Sequence, residues 1–148
     1  MYDVCFLQLT RLFLSPIIHS RYGRSKLANI LFSNALARRL ADTQVRVNSI
    51  HPGLVDTRMS RTSIENMDEE TTALFAKLPS RTPLTQDEGA LTQLYVATSP
   101  DIVKNDIRGR FFIPIAVEEG LDDNALNEDL QEQLWVYSEK VVKEKLQK

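Results

Sequence analysis

The chain has 148 residues, 43% of them hydrophobic and 26% charged, which bounds it to one globular domain with material for a core. A net charge of −2 with the two signs intermixed leaves no basic face for a nucleic-acid partner. One cysteine, Cys5, excludes an internal disulfide and a cysteine-built metal site, and fits a reducing, cytoplasmic setting.

In chain order, residues 1–18 are apolar but broken by Asp3, Arg11 and Pro16, which rules out a spanning helix; they also lack a signal peptide's basic start and cleavage site. Apolar spacing predicts a helix from Tyr22 to Asp42, with Leu27, Ile30 and Leu31 on one side and Ala28, Phe32, Ala35, Leu36 and Leu40 beside them. An arc that wide implies cover on more than one face. Val45–Ile50 is β-branched and stopped by His51-Pro52-Gly53, which predicts a strand. The polar stretch Leu54–Pro83 contains a predicted short helix, Met67–Leu78.

Thr85 and Glu88 form a capping pattern for a helix running to Ser99, with Leu91, Leu94 and Ala97 as its inward stripe and Pro100 after its end. Arg110–Ile115 predicts a second strand. Pro114 lacks an N–H for the ladder and should end it. Leu126, Leu130, Leu134, Tyr137 and Val141 predict a last helix to Leu146, with Lys140, Lys143 and Lys145 late, where the helix dipole favours cations. The alternation of helix and strand points to an α/β fold with parallel strands and crossover helices.

Tyr22 and Lys26 stand four apart and so share a helix face. A tyrosine is a weak acid at neutral pH, and a nearby cation favours its phenolate. The pair can therefore exchange a proton with an alkoxide or alcohol. The spacing alone also fits a solvated surface pair.

YGRSKLANILFSNALARRL followed by VRVNSIHPGLVDTRM resembles the short-chain dehydrogenase/reductase family, its retinol-dehydrogenase-like and fungal branch in particular. TQDEGALTQLYVATS and GRFFIPI extend the resemblance in order from about Tyr22 to the C-terminus. It implies a partial doubly wound, Rossmann-like parallel sheet lacking its N-terminal half, with residues 1–20 an atypical segment and 21–148 the C-terminal half of the domain. It implies NAD or NADP as cofactor and a small carbonyl or alcohol substrate. Tyr22 then matches the acid/base. Lys26 matches the lysine that bonds the nicotinamide ribose. Pro52 and Gly53 match the turn beside the nicotinamide, Val55 the backbone that meets the carboxamide, and Thr57 a hydroxyl that contacts the carboxamide or a phosphate. Asn48 and Ser49 are expected to stabilise the strand end, and His51 needs no catalytic role. The resemblance further implies a homodimer through helix 22–42.

The family's glycine-rich cofactor turn is absent, since the closest two glycines, Gly109 and Gly120, stand eleven positions apart. The catalytic serine of the family stays unassigned: Leu9 and Thr10 fall at its spacing, and Ser15 and Ser20 stand too near Tyr22. The expectation is a truncated oxidoreductase, inactive alone. The alternative is a catalytically inactive fragment or a helix-mediated interaction module. Ala73, Leu74, Phe75 and Leu78 suggest a lipophilic substrate under a lid.

Overall fold

A computed structural model describes residues 18–67, 69 and 82–147. Segment 1–17, with Cys5, Leu9, Thr10 and Ser15, lies outside the described residues, as do Ala73, Leu74, Phe75 and Leu78 of the expected lid and nearly all of the expected helix Met67–Leu78.

The elements run α1 (Ile18–Arg39), β1 (Ser49–Ile50), α2 (Arg58–Glu65), α3 (Gln86–Thr98), α4 (Pro100–Lys104), β2 (Phe111–Ile113), β3 (Val117–Glu119), α5 (Asp123–Leu126) and α6 (Glu128–Leu146). The three strands form one sheet in the order β1-β2-β3. β1 and β2 are parallel, as the α/β reading requires. The connection Pro114–Ala116 is too short for a crossover, so β3 returns antiparallel to β2. Among the described residues, no helix is long and apolar enough to cross a membrane. The chain divides into two compact units: residues 1–49, 100–111 and 118–148, and residues 50–99 and 112–117.

In the first unit α1 packs against α5 and α6. Ile30, Leu31, Ser33, Asn34, Ala35 and Ala37 are buried, and at 100° per residue they occupy more than half of the helix circumference. The arc is as wide as the sequence implies but turned: Ile30, Leu31 and Ala35 are buried as expected, Ser33, Asn34 and Ala37 join them, and Phe32 is 44% exposed. Phe32, at its margin, stacks on Trp135 of α6 with centroids 5.4 Å apart. Arg39 lies 4.2 Å above the same Trp135 ring and bonds both carboxylate oxygens of Glu132 at 2.8 and 2.6 Å. Buried polar groups tie the layers together: Asn34 donates to the Ala125 carbonyl at 3.3 Å, Gln131 to the same carbonyl at 2.8 Å, and Arg38 bonds Gln131.

Several boundaries differ from the sequence expectation, each for a local reason. The helix expected over 22–42 begins at Ile18 and ends at Arg39. Ala41 and Thr43 make i→i−3 bonds that tighten the chain into turns. The strand expected over 45–50 is regular only at Ser49–Ile50. The Asn48 side chain takes bonds a strand backbone would make, donating to the Ile107 carbonyl and accepting from Arg110 N–H, both at 3.0 Å. The last helix is divided because Asn127 caps α6, its Oδ1 accepting from Leu130 N–H at 3.0 Å. The second strand ends at Ile113, before Pro114, as its missing N–H dictates.

Arg108 secures the turn after α1. Its guanidinium donates to the carbonyls of Leu40 (3.0 Å), Thr43 (2.7 Å) and Val45 (2.6 Å) and pairs with Asp106 at 2.7 Å. These carbonyls lie at the helix C-terminus and just beyond it, where backbone acceptors lose their intrahelical donors. Arg108→Ala should lower stability by roughly 2–3 kcal/mol, because several charge-assisted bonds are lost at once. Arg108→Lys should recover less than half of that, since one ammonium cannot reproduce the planar fork. Urea midpoints of the three proteins test this; equal midpoints would contradict it.

Candidate active site

The six residues singled out from the sequence fall into two groups, one in each unit. Tyr22 and Lys26 stand on α1 in the first unit. The i,i+4 spacing places the Lys26 ammonium over the Tyr22 ring, 5.2 Å from its centroid. Tyr22 is 66% exposed, and its carbonyl accepts from the Ser25 hydroxyl at 2.7 Å. The phenol thus faces outward and has a cation within the range of a cation–π contact.

Pro52, Gly53, Val55 and Thr57 occupy the segment between β1 and α2 in the second unit. His51 opens it: its N–H donates to the Phe112 carbonyl at 2.8 Å, and its ring Nδ1 accepts from Gly53 N–H at 2.9 Å. Gly53 has φ +83, and a Cβ there would stand 2.8 Å from Pro114 Cγ and 3.0 Å from Leu84 Cδ1. Both the backbone conformation and the neighbours demand glycine.

Beyond the turn, Val55 forms a parallel bridge with Leu84. The ladder bonds are Leu84 N–H to Leu54 O and Asp56 N–H to Leu84 O, both 2.8 Å. In a parallel pair the residue between two such bonds directs its own amide groups to the opposite edge. No described residue accepts from Val55 N–H. Its carbonyl accepts from the Ser60 hydroxyl at 2.8 Å.

Thr57 is the N-cap of α2, where its hydroxyl accepts from Ser60 N–H at 3.1 Å and Ser60 Oγ accepts from Thr57 N–H at 2.9 Å. Asp56 is bound by Arg61 at 2.6 and 2.8 Å, and those hydrogen bonds hold its carboxyl below the usual range.

Helix α3 closes this segment from one side. Its start is as the sequence predicts: Thr85 accepts from Glu88 N–H at 3.2 Å and donates its own N–H to the Glu88 carboxylate at 2.8 Å. Its inward face is not. Leu91, Leu94 and Ala97 are exposed, and the buried positions are Gly89 and Thr92. A Cβ on Gly89 would lie 2.6 Å from Val55 Cγ2. The helix therefore approaches through a bare backbone, and the stripe is set by that close approach rather than by the largest apolar side chains. Thr92 Oγ1 accepts from Ala116 N–H at 3.2 Å.

Gly89 and Ser60 escaped the sequence reading. A glycine inside a helical pattern signals close packing when no bend is needed. Thr57-x-x-Ser60 is a capping pattern with serine at the position where glutamate or glutamine is usual. Asn48 and Ser49 stand where expected, at the strand end: Asn48 bonds as described above, and the Ser49 hydroxyl reaches the Arg110 carbonyl at 3.4 Å.

The architecture, parallel strands joined through helices with a glycine-bearing turn after the first strand, is that of the α/β class of cofactor-binding folds. The family model described as enoyl-(acyl carrier protein) reductase matches residues 16–101. Retinol dehydrogenase 14 of Mus musculus is 43% identical over 122 residues, 82% of this chain and 35% of the relative. The short-chain dehydrogenase TIC 32 A, chloroplastic, of Brassica napus is 35% identical over 126 residues, 82% of this chain and 36% of the relative. The WW domain-containing oxidoreductase of Gallus gallus is 37% identical over 131 residues, 84% of this chain and 28% of the relative. The chain belongs to the short-chain dehydrogenase/reductase family. It spans about a third of the length of the curated relatives it matches. No solved structure gives a significant match.

Two outcomes follow from this geometry. Gly89→Ala should destabilise the chain by about 1–3 kcal/mol through overpacking on Val55. Combining it with Val55→Ala should cost less than the sum of the single changes; strict additivity in thermal denaturation would count against the contact.

The second concerns pH. Burial lowers the His51 pKa below its ordinary value of 6.5. Below pH 6.5 the unfolded chain binds a proton at this position that the folded chain resists, so stability falls as pH drops through that range. His51→Asn, which keeps an acceptor near Nδ1 but does not titrate, should show a shallower loss. An unchanged slope of stability against pH would refute the assignment.

Proposed function

We propose that the chain carries the proton-transfer group and the nicotinamide-facing turn of an NAD(P)-dependent oxidoreductase that interconverts a carbonyl and an alcohol. The observation carrying this reading is the outward-facing Tyr22 with the Lys26 ammonium 5.2 Å from its ring centroid, in a chain of a family named for this chemistry. Tyr22 Oη donates a proton to the oxygen that develops as a carbonyl is reduced, or accepts one from an alcohol. Lys26 has three N–H donors and a positive charge. It would bond the ribose hydroxyls, and its charge lies beside the ring that exchanges the proton.

The segment Pro52–Thr57 fits a nicotinamide group. Gly53 permits the close turn, Val55 presents an N–H without a described acceptor, and Thr57 Oγ stands at the head of α2. Val55 N–H would take the carboxamide oxygen, and the Thr57 hydroxyl oxygen would accept a carboxamide N–H. When bound, the nicotinamide supplies or receives the hydride. The name of the murine relative makes a lipophilic alcohol or aldehyde the substrate class to try first. NAD and NADP remain equal candidates, and α1 is the surface to examine for a homodimer.

The test is fluorescence titration with NADH and NADPH, followed by turnover of a lipophilic aldehyde. Lys26→Ala should weaken binding at least about tenfold, the scale of a charge-assisted bond. Tyr22→Phe should bind as well as the parent yet lose turnover. Undiminished binding by Lys26→Ala, or turnover by Tyr22→Phe, would overturn the proposal.

A further inference from the structure

We infer that Ser60 is the positioning residue of the nicotinamide-facing segment, holding Val55 and Thr57 in the orientation that binds. The inference rests on the function proposed above. Ser60 is the third residue of α2, and its hydroxyl lies 2.8 Å from Val55 O, 2.9 Å from Thr57 O, 2.9 Å from Thr57 N and 3.2 Å from Thr57 Oγ1.

A serine hydroxyl has one proton. Thr57 O already accepts from Arg61 N–H at 3.1 Å in the first turn of the helix. Val55 O has no other described donor, because the bridge to Leu84 is made by the residues flanking Val55. The proton therefore goes to Val55 O. The lone pairs of Ser60 Oγ receive Thr57 N–H and the Thr57 hydroxyl. One side chain thus closes a ring of hydrogen bonds around residues 55–57.

The ring has a directional consequence. Val55 is gripped on one edge by the Leu84 ladder, on its side chain by the bare backbone at Gly89 and at its carbonyl by Ser60. Ser60 and Leu84 hold the two ends of one peptide plane, Val55 C=O and Asp56 N–H. Val55 N–H belongs to the preceding plane, held through Leu54 O by Leu84 N–H, so with both planes pinned the rotation at Val55 is small. Preorganised donors of this kind need no rearrangement on binding. Ser60 touches no ligand in this scheme and works through Val55 and Thr57.

The ring offers two separable readouts: amide exchange in the free chain, and selectivity between ligands with and without a nicotinamide. Ser60→Ala should speed exchange of the Thr57 amide about tenfold while the exchange of α3 amides stays unchanged. It should also weaken NADH about tenfold and leave ADP-ribose, which lacks the nicotinamide, unaffected. Ser60→Thr, which keeps the hydroxyl, should restore both.

Unchanged Thr57 exchange in Ser60→Ala would overturn the ring itself. Equal weakening of NADH and ADP-ribose would reduce Ser60 to a structural cap and so overturn the positioning role. Faster Thr57 exchange in a chain whose parent binds neither NADH nor NADPH would sink the nicotinamide reading, and the positioning role with it, while leaving the hydrogen-bond ring intact.

Discussion

The backbone pairing between residues 47–49 and 109–110 is the constraint on which the first unit depends. Gly109 N–H reaches Val47 O at 2.8 Å, and Ser49 N–H reaches Arg110 O at 2.9 Å. Asn48, between them, inserts its side chain as a surrogate strand and satisfies Ile107 O and Arg110 N–H. The chain leaving α1 must arrive at this ladder in one register, because a slip of one residue would turn Asn48 away from both partners. Arg108, one residue before the ladder, ties down the carbonyls of the incoming turn. Positive φ at Gly109, with Ala37 Cβ and Asn34 Oδ1 at 3.7 Å from where its Cβ would stand, lets that backbone pass close to α1. The position of Tyr22 and Lys26 on α1 is inherited from these contacts.

In the second unit the same logic operates at smaller scale. Each residue of the turn is held by a different neighbour: Gly53 by the His51 ring, Val55 by Leu84 and Gly89, Thr57 by Ser60. These bonds are individually modest, near 1 kcal/mol each. Their value lies in geometry, because they point in different directions and leave residues 53–57 little freedom to reorient. A turn built this way is largely preformed, which would lower the ordering cost of the binding proposed for it.

How much of this was legible in the sequence depends on the kind of signal. The parallel pairing of two strands, the Thr85–Glu88 cap and the strand stop at Pro114 were legible because each rests on one local rule with few competitors. The helix break at Asn127 was missed because the apolar spacing runs smoothly across it, while the cap is a single side-chain bond. The inward face of α3 was misread for a different reason. Periodicity ranks positions by side-chain size, and the face is chosen by where the backbone can approach, at Gly89, which has no side chain. β3 is three residues of unremarkable composition whose place comes from its partner strand. For the candidate site, the spacing offered Tyr22 and Lys26, and the family resemblance proposed Pro52, Gly53, Val55 and Thr57. Ser60 could not be named in either way, because its role depends on which carbonyl has a spare lone pair, and that is a property of the folded chain.

The exposure of Tyr22 bears on how the proposed chemistry would work. A cation beside a phenol favours the phenolate more strongly as water is removed, because the interaction scales inversely with the local dielectric. At 66% exposure the Tyr22 ring stands largely in water. The contact with Lys26 is accordingly of the exposed kind, about 0.5–1 kcal/mol. A lipophilic substrate packed against the phenol would displace that water, and the cation would then act across a drier medium. On this reading water exclusion by the groups that bind, more than the Lys26 contact alone, is what the proposed proton transfer requires.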